Sequence, residues 1–119
     1  MARRTRLWLP PLVYMAIIFA LSAQSNPLPE VTARVWDKLL HLFEYGGLAF
    51  LLARALVGDG LLWRAALLAA TLLTSAYGAT DEYHQSFVPG RDSSLRDWSA
   101  DSLGAIVGAG TYAAARRRG

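Results

Sequence analysis

Four stretches of the chain are dominated by apolar residues, and each is close to the roughly 20 residues that a helix needs to cross a bilayer. They cover residues 7–22, 38–57, 61–80 and 97–115. None alternates polar and apolar positions as a half-buried strand does, and an open sheet cannot span lipid. The pattern predicts an all-α protein, an integral membrane four-helix bundle in which residues 1–119 form one domain.

Two alternatives apply to this pattern. The first stretch follows Arg3, Arg4 and Arg6, and a cleavable signal peptide has the same layout. A soluble bundle of buried helices would also contain long apolar stretches. We favour an uncleaved membrane helix and a membrane bundle, because three further stretches of similar length follow in so short a chain.

The basic residues predict the orientation of the bundle. With a cytoplasmic N-terminus, eight of the 12 basic residues lie on the cytoplasmic side, which agrees with the positive-inside rule. The eight are Arg3, Arg4, Arg6, Arg54, Arg64, Arg116, Arg117 and Arg118. Both termini are therefore expected in the cytoplasm. All acidic residues except Asp59 then fall on the outer side.

Composition excludes some classes of function. The 119 residues are 54% hydrophobic and 18% charged, and they include no cysteine, so disulfides and thiolate metal sites are excluded. The net charge is only +3, and the arginines flank apolar stretches and line no polar face. We therefore expect no nucleic-acid partner.

Polar residues at helical spacing predict a shared pocket on the outer side. In the second helix Asp37, His41, Glu44 and Tyr45 fall on one face, and in the fourth helix Asp97 and Asp101 are four residues apart. Between the third and fourth helices we expect a polar loop over 81–96, with Asp81 and Gln85 at the outer end of the third helix. Ionisable groups within a bilayer turn toward the bundle interior and pair there, so the three groups are expected to meet.

Glycines at helical spacing predict where helices approach closely. Gly104 and Gly108 form a ridge of small residues on the fourth helix, and Gly46 and Gly47 offer the same on the second. Such ridges let backbones pack together in lipid.

The polar residues carry a resemblance to a known family. They form three segments: Asp37-Lys38-x-x-His41-x-x-x-Tyr45-x-x-Leu48, Asp81-Glu82-x-x-Gln85-x-Phe87-x-Pro89-Gly90-Arg91, and Asp97-x-x-x-Asp101-x-x-Gly104-x-x-x-Gly108. The chain resembles the VanZ-like family over roughly residues 36–108. At Asp101 it differs from many members of that family, which carry Asn, and this changes the charge of the pocket.

The resemblance implies a multi-pass protein of the bacterial cytoplasmic membrane. It implies a role in the cell envelope or in resistance to glycopeptide antibiotics of the teicoplanin type, and no defined catalytic activity. The expected partners are the lipid membrane and a polar or lipid-linked envelope ligand or glycopeptide. The oligomeric state stays open.

The first hypothesis for the pocket is a binding or catalytic site for that envelope ligand. Arg91 offers a forked pair of donors for a phosphate or carboxylate, and Lys38 offers a second positive charge. His41 and Glu82 are the acid–base candidates. Whether the protein is an enzyme stays open. The ligand-binding candidates are Asp37, Lys38, Glu44, Tyr45, Asp81, Gln85, Arg91, Asp97 and Asp101.

Three other hypotheses stay open. No complete metal-binding motif is present, so no resident metal or other cofactor is predicted. A metal-dependent membrane enzyme is still an alternative, since His41, Glu44, Asp81, Glu82 and His84 include ligands suited to zinc, manganese or iron. The charges could instead serve only to lock the helices together, or an oligomer could enclose a transport path.

Overall fold

Four α-helices make up the described part of the chain in the computed structural model. They are α1 Arg3–Ser22, α2 Glu30–Gly58, α3 Trp63–Gln85 and α4 Leu95–Arg118. The structure describes the backbone of residues 2–22, 30–88 and 95–118, and the side chains of 2–20, 39, 41–88 and 98–116. The predicted all-helical class and the four helices are confirmed for these residues.

The boundaries of the helices differ from the predicted ones. Helix α3 continues through Gln85, so the prediction of a loop from Asp81 onward is wrong over 81–85. Those residues are polar, but Asp81, Glu82 and Gln85 are buried, and hydropathy therefore placed the end of the helix too early. Helix α2 likewise begins about two turns before the predicted start.

Helix α1 begins about one turn earlier than predicted, and its arginines form its first turn. Pro10 and Pro11 consequently lie inside the helix, beyond its first turn. A proline in a helix interior removes one backbone hydrogen bond, so these two residues weaken the middle of α1.

Helix α2 ends at Gly58, and the sequence Gly58-Asp59-Gly60 begins the turn to α3. Gly60 has a φ of 106°, which favours a residue without a side chain. The N–H of Gly60 donates to the carbonyl of Val57, and the N–H of Leu61 donates to that of Leu56. This pair of bonds is the Schellman pattern that satisfies the last carbonyls of a helix.

Helices α2 and α4 are in direct backbone contact. A side chain at Gly104 would lie 2.7 Å from the carbonyl oxygen of Leu42, and one at Gly108 would overlap the backbone of Gly46. The predicted close approach of these helices is therefore present, with Gly46 as the glycine of α2 that makes it. Gly47 instead faces the hydroxyl of Tyr14 on α1.

The N-terminal part of α1 is bound to the turn between α2 and α3 by hydrogen bonds and an ion pair. The indole of Trp8 donates to the Asp59 carboxylate at 2.8 Å, and Arg4 pairs with the same carboxylate at 3.1 Å. Arg3 donates to the carbonyl of Gly58. The hydrogen bond from Trp8, aided by the charges of Arg4 and Arg3, lowers the pKa of the Asp59 carboxyl. Basic residues from both ends of the sequence gather at this end, since Arg116 of α4 lines a cavity with Trp63 of α3.

An apolar cluster is buried between α1, α2 and α3. Ile18 of α1, Leu48 and Leu52 of α2 and Ala70 of α3 form one buried cluster. Among the described residues, no helix is both long enough and apolar enough to qualify as a membrane span.

Candidate functional site

Polar side chains are also buried in the interior, in the half of the bundle away from the turn at Asp59. His41, Asp81, Glu82, Gln85 and Asp101 are each less than 10% exposed, and they come from α2, α3 and α4. Burial of so many ionisable groups is costly unless they pair with one another or with a bound species. Their mutual geometry therefore defines the candidate site.

His41 lies between two carboxylates. Its Nδ1 is 2.6 Å from Oδ1 of Asp101 and 3.9 Å from Oε1 of Glu82. Glu44 and Asp81 add further negative potential at the imidazole. Contact between His41 and Asp101 joins α2 to α4, because these helices approach closely at their glycines.

Tyr45, one turn after His41, binds the remaining buried carboxylate. Its hydroxyl donates to Oδ2 of Asp81 at 2.6 Å, and its own side chain is fully buried. The ring of Tyr77 lies 6.2 Å from that of Tyr45, and its hydroxyl donates to the carbonyl of Met15 on α1. The two tyrosines thus close the site on the side of the apolar core.

Gly78 makes room for the carboxylate of Asp101. A side chain at this position would lie 2.9 Å from Oδ2 of Asp101, so only glycine fits without a shift of the acid. The role of Gly78 was not predicted from the sequence. Its spacing of three residues from Asp81 and four from Glu82 puts it on the same face of α3, and that spacing was the available signal.

Helix α4 is also held against α3 by hydroxyl and indole groups that were not predicted from the sequence. The hydroxyls of Ser75 and Ser102 are 2.8 Å apart, and the indole of Trp98 donates to the carbonyl of Ser75 at 2.9 Å. These bonds fix the rotation of α4 that directs Asp101 toward His41.

The buried polar atoms of α3 that have no hydrogen-bond partner among the described residues include Nε2 of Gln85, Oγ1 of Thr74 and Nδ1 of His84. Gln85 lies four residues after Asp81 and three after Glu82, and thus on the same helix face. A buried amide donor of this kind is expected to bind an acceptor, such as water or a ligand oxygen.

The remaining predicted site residues are only partly described. Glu44 is half-buried, three residues after His41. His84 does not join His41, since its ring stacks on that of Phe19 with the centroids 4.3 Å apart. Arg91 and the side chains of Asp37, Lys38 and Asp97 lie outside the described residues, so their predicted roles stay predictions.

The arrangement provides groups that can hold or move a proton. The imidazole and the two carboxylates next to it can exchange protons over short distances, and Gln85 can donate to an oxygen. The described residues thus form an all-helical bundle of four helices, with a buried polar cluster near one end.

The model of the VanZ/LLP1 family matches the chain over residues 2–116, which is nearly its whole length. The protein belongs to the VanZ/LLP1 family, and the resemblance found in the sequence is confirmed. No curated protein and no solved structure matches the chain.

Proposed function

We propose that the protein is embedded in the bacterial cytoplasmic membrane, where its buried polar cluster binds or modifies the polar headgroup of a cell-envelope ligand. The proposed role of the protein is in envelope function or in resistance to glycopeptides of the teicoplanin type. Membership of the VanZ/LLP1 family supports the proposal. The observation that carries it is the distribution of polar and apolar residues between the inside and the outside of the bundle.

That distribution is inverted relative to a water-soluble protein. Asp101 is 0% exposed, whereas Leu68 and Leu72 of α3 and Leu103 and Ile106 of α4 are each more than half exposed. Soluble monomers rarely expose large contiguous apolar surfaces, and buried ionisable groups are typical of sites inside membrane bundles. A lipid environment accounts for both observations.

The orientation with both termini in the cytoplasm is part of the proposal. The contacts of Arg3 and Arg4 with the turn at Asp59, and the cavity that Arg116 shares with Trp63, put basic residues at the end of the bundle opposite the polar cluster. By the positive-inside rule this end faces the cytoplasm. The polar cluster then lies toward the outer side, where envelope precursors are exposed.

Within the cluster, His41 and Glu82 are the proposed acid–base pair. Oε1 of Glu82 is 3.9 Å from Nδ1 of His41, a separation that one ligand oxygen or water would bridge by a hydrogen bond to each group. Gln85 would donate to the same oxygen. Lys38 and Arg91 are proposed to bind a phosphate or carboxylate of the ligand.

Susceptibility to teicoplanin in a sensitive bacterium tests this function. Cells that produce the wild-type protein are expected to tolerate several-fold more teicoplanin than cells with an empty vector. Glu82→Gln is expected to lose this protection at an equal amount of protein in the membrane. The matched control is Tyr83→Phe, which changes the next residue along α3, one whose side chain is 71% exposed.

Two results would contradict the proposal. One is a wild-type protein that gives no protection although it accumulates in the membrane. The other is full protection by Glu82→Gln.

A purely structural role is the second candidate, because the contacts His41–Asp101 and Tyr45–Asp81 join α2 to α4 and α3. Under this hypothesis Glu82→Gln would lower the melting temperature and the amount of protein together. Loss of protection without loss of stability supports a ligand site.

A further inference from the structure

Three side chains of the polar cluster form a set of metal ligands. One nitrogen of His41 and one carboxylate oxygen each of Glu82 and Asp101 all lie within 4.8 Å of one another. The three residues are buried and come from three different helices. We propose that they bind a divalent first-row transition ion such as Mn²⁺, Fe²⁺ or Zn²⁺.

The donor atoms suit such an ion. Imidazole nitrogen with carboxylate oxygen is a common set for these metals, and the bonds are about 2.0–2.2 Å long. Two ligands of one ion can therefore be up to roughly 4.4 Å apart, which accommodates the 3.9 Å between His41 and Glu82. The shorter contact of His41 with Asp101, at 2.6 Å, has to open by several tenths of an ångström when an ion enters. Until then, this hydrogen bond holds the two ligands next to each other.

The charge of the region favours a cation. Asp81, Glu82 and Asp101 are all buried, and half-buried Glu44 also acts on His41. The sequence places six acids in the three polar groups, against the three cations Lys38, Arg91 and Arg96. A divalent ion offsets two of the three excess negative charges without the protonation of these acids.

Gln85 is a second observation that indicates a ligand at this place. Its carboxamide is 1% exposed, and its Nε2 has no hydrogen-bond partner among the described residues. It lies one helical turn from Glu82. Three protein ligands leave at least one position of the ion open for water, and a buried amide donor can bind such a water or an anion in its place.

The metal-binding hypothesis gives His41 and Glu82 the role of metal ligands in place of the acid–base role proposed above. It is tested by metal content and spectroscopy alone, so its outcome is distinguishable from that of the teicoplanin experiment. The wild-type protein is purified, stripped with a chelator and titrated with Mn²⁺ and with Zn²⁺. We expect one ion to bind to each chain at micromolar concentrations of the metal. His41→Gln, Glu82→Gln and Asp101→Asn should each weaken binding by more than about 100-fold, beyond the 10–100-fold loss typical of an outer partner. Asp59→Asn, at the other end of the bundle, is the control and should bind as the wild type does.

A spectroscopic measurement keeps the test independent of how well these variants fold. Pulsed electron paramagnetic resonance of bound Mn²⁺ should show coupling to an imidazole nitrogen. The chain has two histidines, so His84→Gln leaves His41 as the single imidazole, and the coupling should persist in that variant. No bound ion at micromolar concentration, no nitrogen coupling in His84→Gln, or equal affinity in folded Glu82→Gln would each overturn the inference.

Discussion

Nδ1 of His41 and Oδ1 of Asp101 are 2.6 Å apart, although the residues are 60 positions apart in the sequence. Both side chains are almost completely buried. The contact depends on the glycines that bring α2 and α4 together and on the space that Gly78 leaves for the carboxylate. The same pair therefore belongs both to the packing of the helices and to the chemistry of the site.

The coupling between these two residues is the first prediction. Truncation of one partner leaves the other buried without compensation, so His41→Ala and Asp101→Ala should each lower the free energy of unfolding by about 3–5 kcal/mol. The double variant should lose much less than the sum of the two. Unfolding of all four proteins in detergent, analysed as a double-mutant cycle, measures the coupling. Strictly additive effects would show that the contact contributes nothing.

Tyr45 gives the second prediction. Tyr45→Phe removes the donor that the buried carboxylate of Asp81 binds, and loss of one partner of a buried hydrogen bond costs about 1–3 kcal/mol. Tyr83→Phe, which removes an exposed hydroxyl on α3, should change stability by less than about 0.5 kcal/mol. Thermal melting of the two variants tests the difference. Equal melting temperatures would contradict the role of the Tyr45 hydroxyl.

The contact between α2 and α4 gives the third prediction. Gly108→Ala puts a methyl group into the backbone of Gly46, and overpacking of this kind costs about 1–3 kcal/mol or more. Gly110→Ala is the matched control, since a side chain there has no atom within 4 Å. The control should gain stability, by up to about 1 kcal/mol, from the better helix propensity of alanine. A stable Gly108→Ala protein would mean that the helices lie further apart.

The fourth prediction concerns pH and the turn after α2. The folded protein lowers the pKa of Asp59 below its ordinary value of 3.8, so the ionised carboxylate stabilises the fold. This contribution is fully present above the unfolded-state pKa and is lost as the pH falls through the lower folded-state pKa.

The melting temperatures of the wild type and Asp59→Asn measure this contribution. Their difference should be constant between pH 5 and pH 7, which lie well above the ordinary carboxyl pKa, and should shrink below about pH 4. Other carboxyl groups titrate in both proteins, so the difference isolates Asp59. A difference that does not change with pH would contradict the assignment.

The class of fold, and the helices that carry the polar residues, could be predicted from the sequence. The contacts between individual side chains could not. Periodicity and length were enough for four helices, and helical spacing placed His41 and Tyr45 on one face. Helical spacing also put Asp81 and Gln85 on one face of the third helix. The cost of ionisable groups in a bilayer predicted that the polar groups of the second, third and fourth helices would meet.

The end of α3 was missed for a physical reason. Asp81 to Gln85 are polar, and polar residues after an apolar stretch normally indicate a loop. Here Asp81, Glu82 and Gln85 face the interior, which depends on neighbouring helices and cannot be read from one helix alone. The space that Gly78 leaves for the carboxylate of Asp101 depends in the same way on the distance between α3 and α4.

The central claim is that a polar interior lies within an apolar exterior that faces lipid. Single spin labels test this claim most directly. The chain has no cysteine, so Leu72→Cys and Leu103→Cys each introduce one labelling position on the exposed apolar surface. Leu61→Cys, in the turn after α2, is the control outside the proposed bilayer core.

The collision rates of each nitroxide with oxygen and with a water-soluble nickel complex are compared after reconstitution into lipid vesicles. We predict that labels at 72 and 103 collide mainly with oxygen, which concentrates in lipid, and that the label at 61 collides readily with the nickel complex. Free access of the nickel complex to the labels at 72 and 103 would contradict the proposed membrane location.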